Sequence, residues 1–428
     1  MPVTKDSGLI DAFGANLLKI WPAGHKHKLL LAVSGGGDSM AMMHLASRWA
    51  SGHDFDCSLI TVDHGLRKES AAEAAFVSGV AGKLGLSHQT VRWTGWDGRG
   101  NTQMQAREAR YELINQHRGE CSVILTAHTL EDQAETFLLR LKRGSGVDGL
   151  ASILPKRFMA SQQSGYWLLR PFLNVSRETL RSFLRAEGHE WIEDPSNDDE
   201  SYGRITMRKN MVRLTDIGIT KEVLATTALH LARARSALEE QVKVFAVAFV
   251  TKDHGDLLID QQSFVILHKE IQYRLLTKAL NWVASQSYQP RFSSLERTLE
   301  HVLAGRPQTL HGCYIDIKKT HIRITREFNA VANMRVPFNL GCVWDKRWCF
   351  MPKPGVVVRR NWTVMPLGPQ GVKWVKANSD VRLPFHSLRA HPGVFDSEGV
   401  VCAPNLIEDA IVDATFCTKP PTDAASCY

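Results

Sequence analysis

Residues 29–45 read LLLAVSGGGDSMAMMHL: five apolar residues, a serine, three glycines, an aspartate, a second serine, then an apolar run at helical spacing. The first run reads as a buried strand and the last as a helix. Ser34, Gly35, Gly36, Gly37, Asp38 and Ser39 therefore form the turn from a strand's C-terminal end into a helix N-terminus. Free backbone N–H groups and the helix dipole favour an anion there, and glycines let phosphate oxygens approach the main chain. A Walker loop needs a lysine after its last glycine, and none follows; a dinucleotide fingerprint fails because Met40 stands three beyond Gly37. A bare Asp38 repels phosphate, and a shared divalent cation reverses that sign. The competing reading is a glycine-rich turn without chemistry.

Outward from this turn, strand and helix alternate. DCSLITVDH (56–64), HQTVRW (88–93) and CSVILTAH (121–128) read as strands. ESAAEAAFVSGVAGKLG (69–85), NTQMQAREARYELINQH (101–117, with Asn101 or Thr102 as N-cap) and TLEDQAETFLLRLKRG (129–144) read as helices. Such alternation predicts an α/β fold with a parallel sheet covered on both faces. After the polar segment EDPSNDD, helical periodicity is expected over 205–303, and beyond AGRPQTLHG short strands with Gly, Pro and Asn turns. The expected domains are 1–215, a helical 216–305 and a β-rich 306–428.

At 428 residues the chain exceeds one ordinary core, in keeping with several domains. No window approaches eighteen apolar residues, and the run 29–33 is too short for a secretory signal, so a soluble cytoplasmic protein is expected. Eight cysteines without a CxxC pair read as reduced thiols. The net charge of +8 tilts the reading towards a polyanionic partner without naming it.

The segment LTAHTLEDQAETFLLRLKRGSGVDGL (125–150) carries the next signal. Asp132 and Glu135, three apart, lie on one helical face, with His128 just before the first turn. They suit a cation or an amine facing the phosphate turn; an acidic solvated face is the bland alternative. Lys142 and Arg143 before Gly144-Ser145-Gly146 suit a phosphate backbone.

The turn matches SGGxDS and so resembles the pyrophosphate (PP) loop of the N-type ATP pyrophosphatases. That resemblance implies a Rossmann-like PP-loop ATPase domain of the adenine nucleotide alpha hydrolase type, with ATP as substrate. Its loop, residues 34–39, would hold the β and γ phosphates while a nucleophile attacks the α phosphate, and Asp38 would act through Mg2+. Residues 125–150 further resemble the AHHxxDQxETxLxxLxRGSGxxGL region of the tRNA(Ile)-lysidine synthases. TVDHGLR (61–67), AREARY (106–111), LLRPFL (168–173) and EDPSNDDESYGRITMR (193–208) resemble other motifs of that family in the expected order. The likeness covers roughly residues 28–215.

That family joins L-lysine to the wobble cytidine of a tRNA(Ile) with a CAU anticodon. Cytidine O2 first attacks the α phosphate of ATP, and the lysine amine then displaces AMP. By position, Asp132 and Glu135 would hold lysine, and Arg107 or Arg110 its carboxylate or the AMP phosphate. His128 would contact phosphate or relay a proton, or equally serve as a structural cap. Lys142, Arg143, Arg204 and Arg208 would contact tRNA. Thr129 stands where a second histidine is common, so a role needing both imidazoles is not carried over. Gly203 and Ile205 flank Arg204 where an Arg-Asn pair is usual, while Arg208 stays in place; Asp194 and Asn197 read as turn closers.

In the C-terminal half, VWDKRWCF (343–350) and PGVFDSEGVVCAPNL (392–406) are similar to pieces of longer lysidine synthases whose extra domains recognise the acceptor stem. Trp344, Arg347 and Trp348 either stack on or contact tRNA, or form core and rim. Two rivals stand beside this reading. A tRNA thiolase of the same superfamily needs reactive cysteines or an iron–sulfur cluster, whereas Cys57 and Cys121 open buried strands. A non-catalytic tRNA-binding protein has no need of Asp38, Asp132 and Glu135. Monomer and homodimer both stay open.

Overall fold

Short apolar runs bounded by turn residues become the strands of the first half. The computed structural model describes residues 5–65, 69–94, 102–159, 165–193, 203–286 and 288–417, with backbone alone for 5–7, 102–104, 203–206, 208 and 209. The strands are β1 (Lys28–Ala32), β2 (Asp56–Asp63), β3 (Ser87–Arg92), β4 (Val123–Leu125), β5 (Lys156–Met159) and β6 (Tyr166–Leu169). Between and around them lie α1 (Lys5–Ile20), α2 (Gly37–Ser51), α3 (Ser70–Lys83), α4 (Thr102–His117), α5 (Leu130–Lys142), α6 (Val147–Leu150), α7 (Arg177–Ala186) and α8 (Gly203–Asp216).

The strands form one sheet in the order β3-β2-β1-β4-β6-β5, parallel except where β5 pairs with β6. Neighbouring residues of β1 serve opposite faces, as a doubly covered sheet demands. Leu29 and Leu31 join Phe13, Met40, Met43 and Phe172 on one side, and Leu30 joins Ile60, Ile114 and Ile124 on the other. Because β1 lies between β2 and β4, the strand order reverses there. The crevice beyond the C-terminal ends of β1 and β4 is where such sheets bind ligands. The glycine turn leaves β1 into α2, and the segment holding His128 leaves β4 into α5.

The chain divides into two compact units, Met1–Arg235 and Ser236–Tyr428, and the helix Lys221–Phe249 runs through the division. The expected boundaries at 215 and 305 differ from this division. Leu224 and Ala228 pack with Ala134 and Phe137 of α5, inside the first unit. Helices Lys269–Ala284 and Phe292–Leu303 share a core with strands on both sides of residue 305.

Within the second unit the helical expectation for 205–303 fails at a hairpin, Val250–Asp253 with Asp256–Asp260. Its two-residue turn, His254-Gly255, takes φ of 50° and 99°, the left-handed pair that tight hairpins require. The hairpin joins a five-stranded antiparallel sheet, and a four-stranded and a three-stranded sheet complete the β-rich part. Trp344, Arg347 and Trp348 belong to its interior, each at most 3% exposed. The core reading of that trio therefore holds over the tRNA-stacking one. No helix among the described residues is long and apolar enough to cross a membrane.

Candidate active site

The glycine turn is shaped by three contacts. Gly35 takes φ +90°, and a Cβ there meets Ile192 Cδ1 at 2.8 Å, so only glycine fits without strain. Ile192 N–H donates to Gly35 O at 3.0 Å, which lays the segment after α7 against the turn. The Ser39 hydroxyl donates to Gly36 O at 2.9 Å and accepts from Ser34 N–H at 3.2 Å. Ser39 thus braces the loop from inside, whereas Ser34 is exposed. Gly36 caps α2, so the first amides of that helix face the crevice.

Asp38 stands in the first turn of α2, and burial pushes its carboxyl up to about 6 in spite of Arg177 beside it. Its Oδ2 accepts from Arg177 Nε at 3.1 Å, and its buried Oδ1 has no hydrogen-bond partner among the described residues. The same guanidinium reaches Asp132 Oδ1 through Nη2 at 2.7 Å and Glu135 Oε1 through Nη1 at 3.4 Å. One cation therefore ties the phosphate turn of α2 to the acidic face of α5. Burial works against the charge of Arg177, and Asp132, Glu135 and Asp38 outweigh it, so the guanidinium is held protonated.

Asp132 also closes the N-terminus of α5, where its Oδ2 accepts from Thr129 N–H at 2.8 Å and from the Thr129 hydroxyl at 3.0 Å. Thr129 is thereby a helix cap. Half-buried His128 shares a 3.0 Å hydrogen bond between Nδ1 and Thr126 Oγ1. Glu131 has partners of its own; it accepts from Arg177 N–H at 2.9 Å and from Lys221 Nζ at 2.6 Å, which hold its carboxyl below the usual range against the opposing effect of burial.

No motif in the sequence singles out Arg177. The one signal it leaves is an arginine at the first position of a Ser-capped helix, where the dipole disfavours a cation. Such a residue needs anions nearby. Arg110 instead donates to His64 Nε2 at 3.0 Å, and burial together with that arginine lowers His64 to about 4, leaving it neutral. Arg107 lies over the Tyr111 ring at 5.3 Å, and Arg107, Arg143, Arg157 and Arg235 all act on Arg140, a basic surface in the first unit. Lys142 and Arg143 are exposed at the end of α5. Arg204 and Arg208 fall on α8 with side chains outside the described residues; Asp194, Asn197 and the Leu66-Arg67 end of the second-strand motif lie outside them too.

The two thiols of this unit are structural. Burial pushes Cys57 up to about 12, and Cys121 donates to Val123 O at 3.2 Å. Neither is a nucleophile at neutral pH.

A phosphate-suited loop at a topological switch point, with a carboxylate cluster next to it, fits nucleotide chemistry involving a second, cationic substrate. A model of the PP-loop domain matches residues 11–215. A protein of Ruegeria pomeroyi named tRNA(Ile)-lysidine synthase is 41% identical over 88% of this chain and 88% of its own. Like-named proteins of Wolbachia pipientis and a Bradyrhizobium species are each 37% identical, over 76% and 69% of this chain and 77% and 89% of theirs. With that likeness extending well past the catalytic unit, the chain belongs to the tRNA(Ile)-lysidine synthase family.

Proposed function

We propose that this chain ligates L-lysine to C2 of the wobble cytidine of a tRNA(Ile) bearing a CAU anticodon, in the cytoplasm, using ATP. In the first step cytidine O2 attacks the α phosphorus, the bond to the β,γ portion breaks, and pyrophosphate leaves. In the second the lysine amine attacks C2, the C2–O2 bond breaks, and AMP departs with that oxygen. Adenylation is needed because the carbonyl oxygen of cytosine is a poor leaving group, and a phosphate ester is a better one.

The amides of residues 35–37 and Ser34 hold the β and γ phosphates at the α2 N-terminus. The free Oδ1 of Asp38 suits a hard cation that takes one carboxylate plus phosphate oxygens. Mg2+ bound there would neutralise charge on the phosphates. Asp132 and Glu135 receive and orient the lysine ammonium, and a carboxylate beside it takes the proton that it must lose before attack. Arg107 and Arg110 on α4 supply positive charge for the lysine carboxylate or the AMP phosphate. His128 sits at the base of α5 for contact with phosphate. Lys142 and Arg143, with Arg204 and Arg208, grip the tRNA backbone.

The observation that carries this reading is the single guanidinium spanning Asp38, Asp132 and Glu135, which brings the two half-sites within one side chain of each other. The test is incubation with ATP, Mg2+, labelled lysine and bulk tRNA. Lysine-dependent label in tRNA with release of AMP and pyrophosphate is expected. Tight tRNA binding without label points to a non-catalytic binder, and dependence on a sulfur donor to a thiolase.

A further inference from the structure

Resting on that assignment of the lysine site, we infer that Arg177 is a resident placeholder cation. Its guanidinium occupies the position that the lysine ammonium takes, and lysine enters by displacing it from Asp132 and Glu135. Three features support this. Asp132 has Oδ2 engaged by Thr129, so Oδ1, the oxygen aimed at the cleft, is the one that Arg177 holds at 2.7 Å. Glu135 is 2% exposed, and its Oε1 faces the same guanidinium at 3.4 Å, the longest of the three contacts and the first to give. An ammonium cannot reach both oxygens while the guanidinium lies between them.

The placeholder is also built to move. The backbone of Arg177 is anchored by its N–H to Glu131, which Lys221 holds in turn, so the side chain can swing without the helix. A cation at the first position of α7 opposes the helix dipole, so among the described residues it is the three carboxylates that retain it. Its Nε already lies against Asp38, on the phosphate side of the cleft. Bound ATP offers new anionic partners there and draws the guanidinium off the lysine carboxylates. Nucleotide binding thus opens the lysine site, and the coupling is reciprocal.

The test measures lysine binding by calorimetry at pH 8 on the full chain with tRNA transcript, with and without a non-hydrolysable ATP analogue. In the wild type, the analogue should tighten lysine binding severalfold. In R177Q, lysine should bind at least fivefold more tightly than in wild type without nucleotide, and the analogue should add nothing. R177K keeps a charge that cannot span three carboxylates, and should show part of the coupling; it carries the test if R177Q fails to fold. Lysine affinity that falls in R177Q, or coupling that persists in both variants, overturns the placeholder. Lysine that does not bind wild type, or binds E135Q equally well, removes the lysine site itself and the placeholder with it.

Discussion

Replacing Asp38 by Asn should stabilise the ligand-free protein while abolishing adenylation. Burial lifts the Asp38 carboxyl from 3.8 to about 6, a shift of about two units, and each unit corresponds to about 1.4 kcal/mol. Ionised Asp38 therefore withholds up to ~3 kcal/mol of stability at neutral pH. The side chain is 24% exposed, and solvent screening together with a weakened contact to Arg177 reduces the expected gain to about 1–2 kcal/mol. Arg177 keeps Asp132 and Glu135, so the variant does not leave a buried cation unpaired. The sign follows from linkage: between 3.8 and about 6 the folded state binds more protons than the unfolded state, so wild-type stability is lost as pH rises through that window. Thermal melting in EDTA should place D38N a few degrees above wild type at pH 7.5, with the gap narrowing to less than half by pH 4.5. Added Mg2+ and ATP should reverse the order, because wild type keeps the carboxylate for the metal and gains the larger ligand stabilisation. A variant that melts at or below wild type at pH 7.5 without ligand refutes the argument that Asp38 is held ionised against its surroundings.

Four other variants separate the parts of the site. Glu135→Gln should permit adenylation and impair lysine attack, seen as adenylated tRNA accumulating in a gel assay; equal loss of both steps would speak against a lysine role. Lys142→Ala with Arg143→Ala should weaken tRNA binding and flatten the plot of log affinity against log salt by roughly 1.5, and an unchanged slope would take both residues out of the interface. Gly35→Ala should cost about 1–3 kcal/mol through its left-handed backbone and the Ile192 contact. Gly36→Ala, whose Cβ meets nothing nearer than 3.9 Å, should lower stability only by the poorer cap, less than about 1 kcal/mol, and weaken ATP binding.

Local chemistry made the first half legible. LLLAV runs into the Ser34-Gly35-Gly36-Gly37 turn and is short and apolar enough to read as a buried strand, and DSMAMMHL has helical spacing, so β1, the loop and α2 follow from neighbours alone. The acidic face of α5 was visible for the same reason. Arg177 was not, because its role depends on three carboxylates 139, 45 and 42 residues away in sequence. No spacing rule reports such a meeting. The His254-Gly255 hairpin was hidden by a long alanine-rich helix before it, which made a continuing helix the natural extrapolation. Arg347 shows another limit: an arginine between two tryptophans reads as a nucleic-acid contact or as interior, and only the fold decides. Its guanidinium donates to Gly255 O and lies 4.5 Å from the centre of the Trp282 ring, a buried stack.

The geometry also decides which of the two lysine-site acids is the informative one to change. Asp132 serves the helix and the ligand at once: Oδ2 caps α5 through Thr129, and Oδ1 faces Arg177. Removing it forfeits a cap, at about 1 kcal/mol, and loosens the turn that positions His128 and Glu135. A dead Asp132→Ala enzyme therefore says little about lysine. Glu135 has no capping duty; it sits within α5 and meets the cation that we assign as placeholder. Its amide variant keeps shape and burial and changes only charge. The Glu135→Gln result therefore tests the chemistry, and the Asp132 result mixes chemistry with the stability of the helix that carries it.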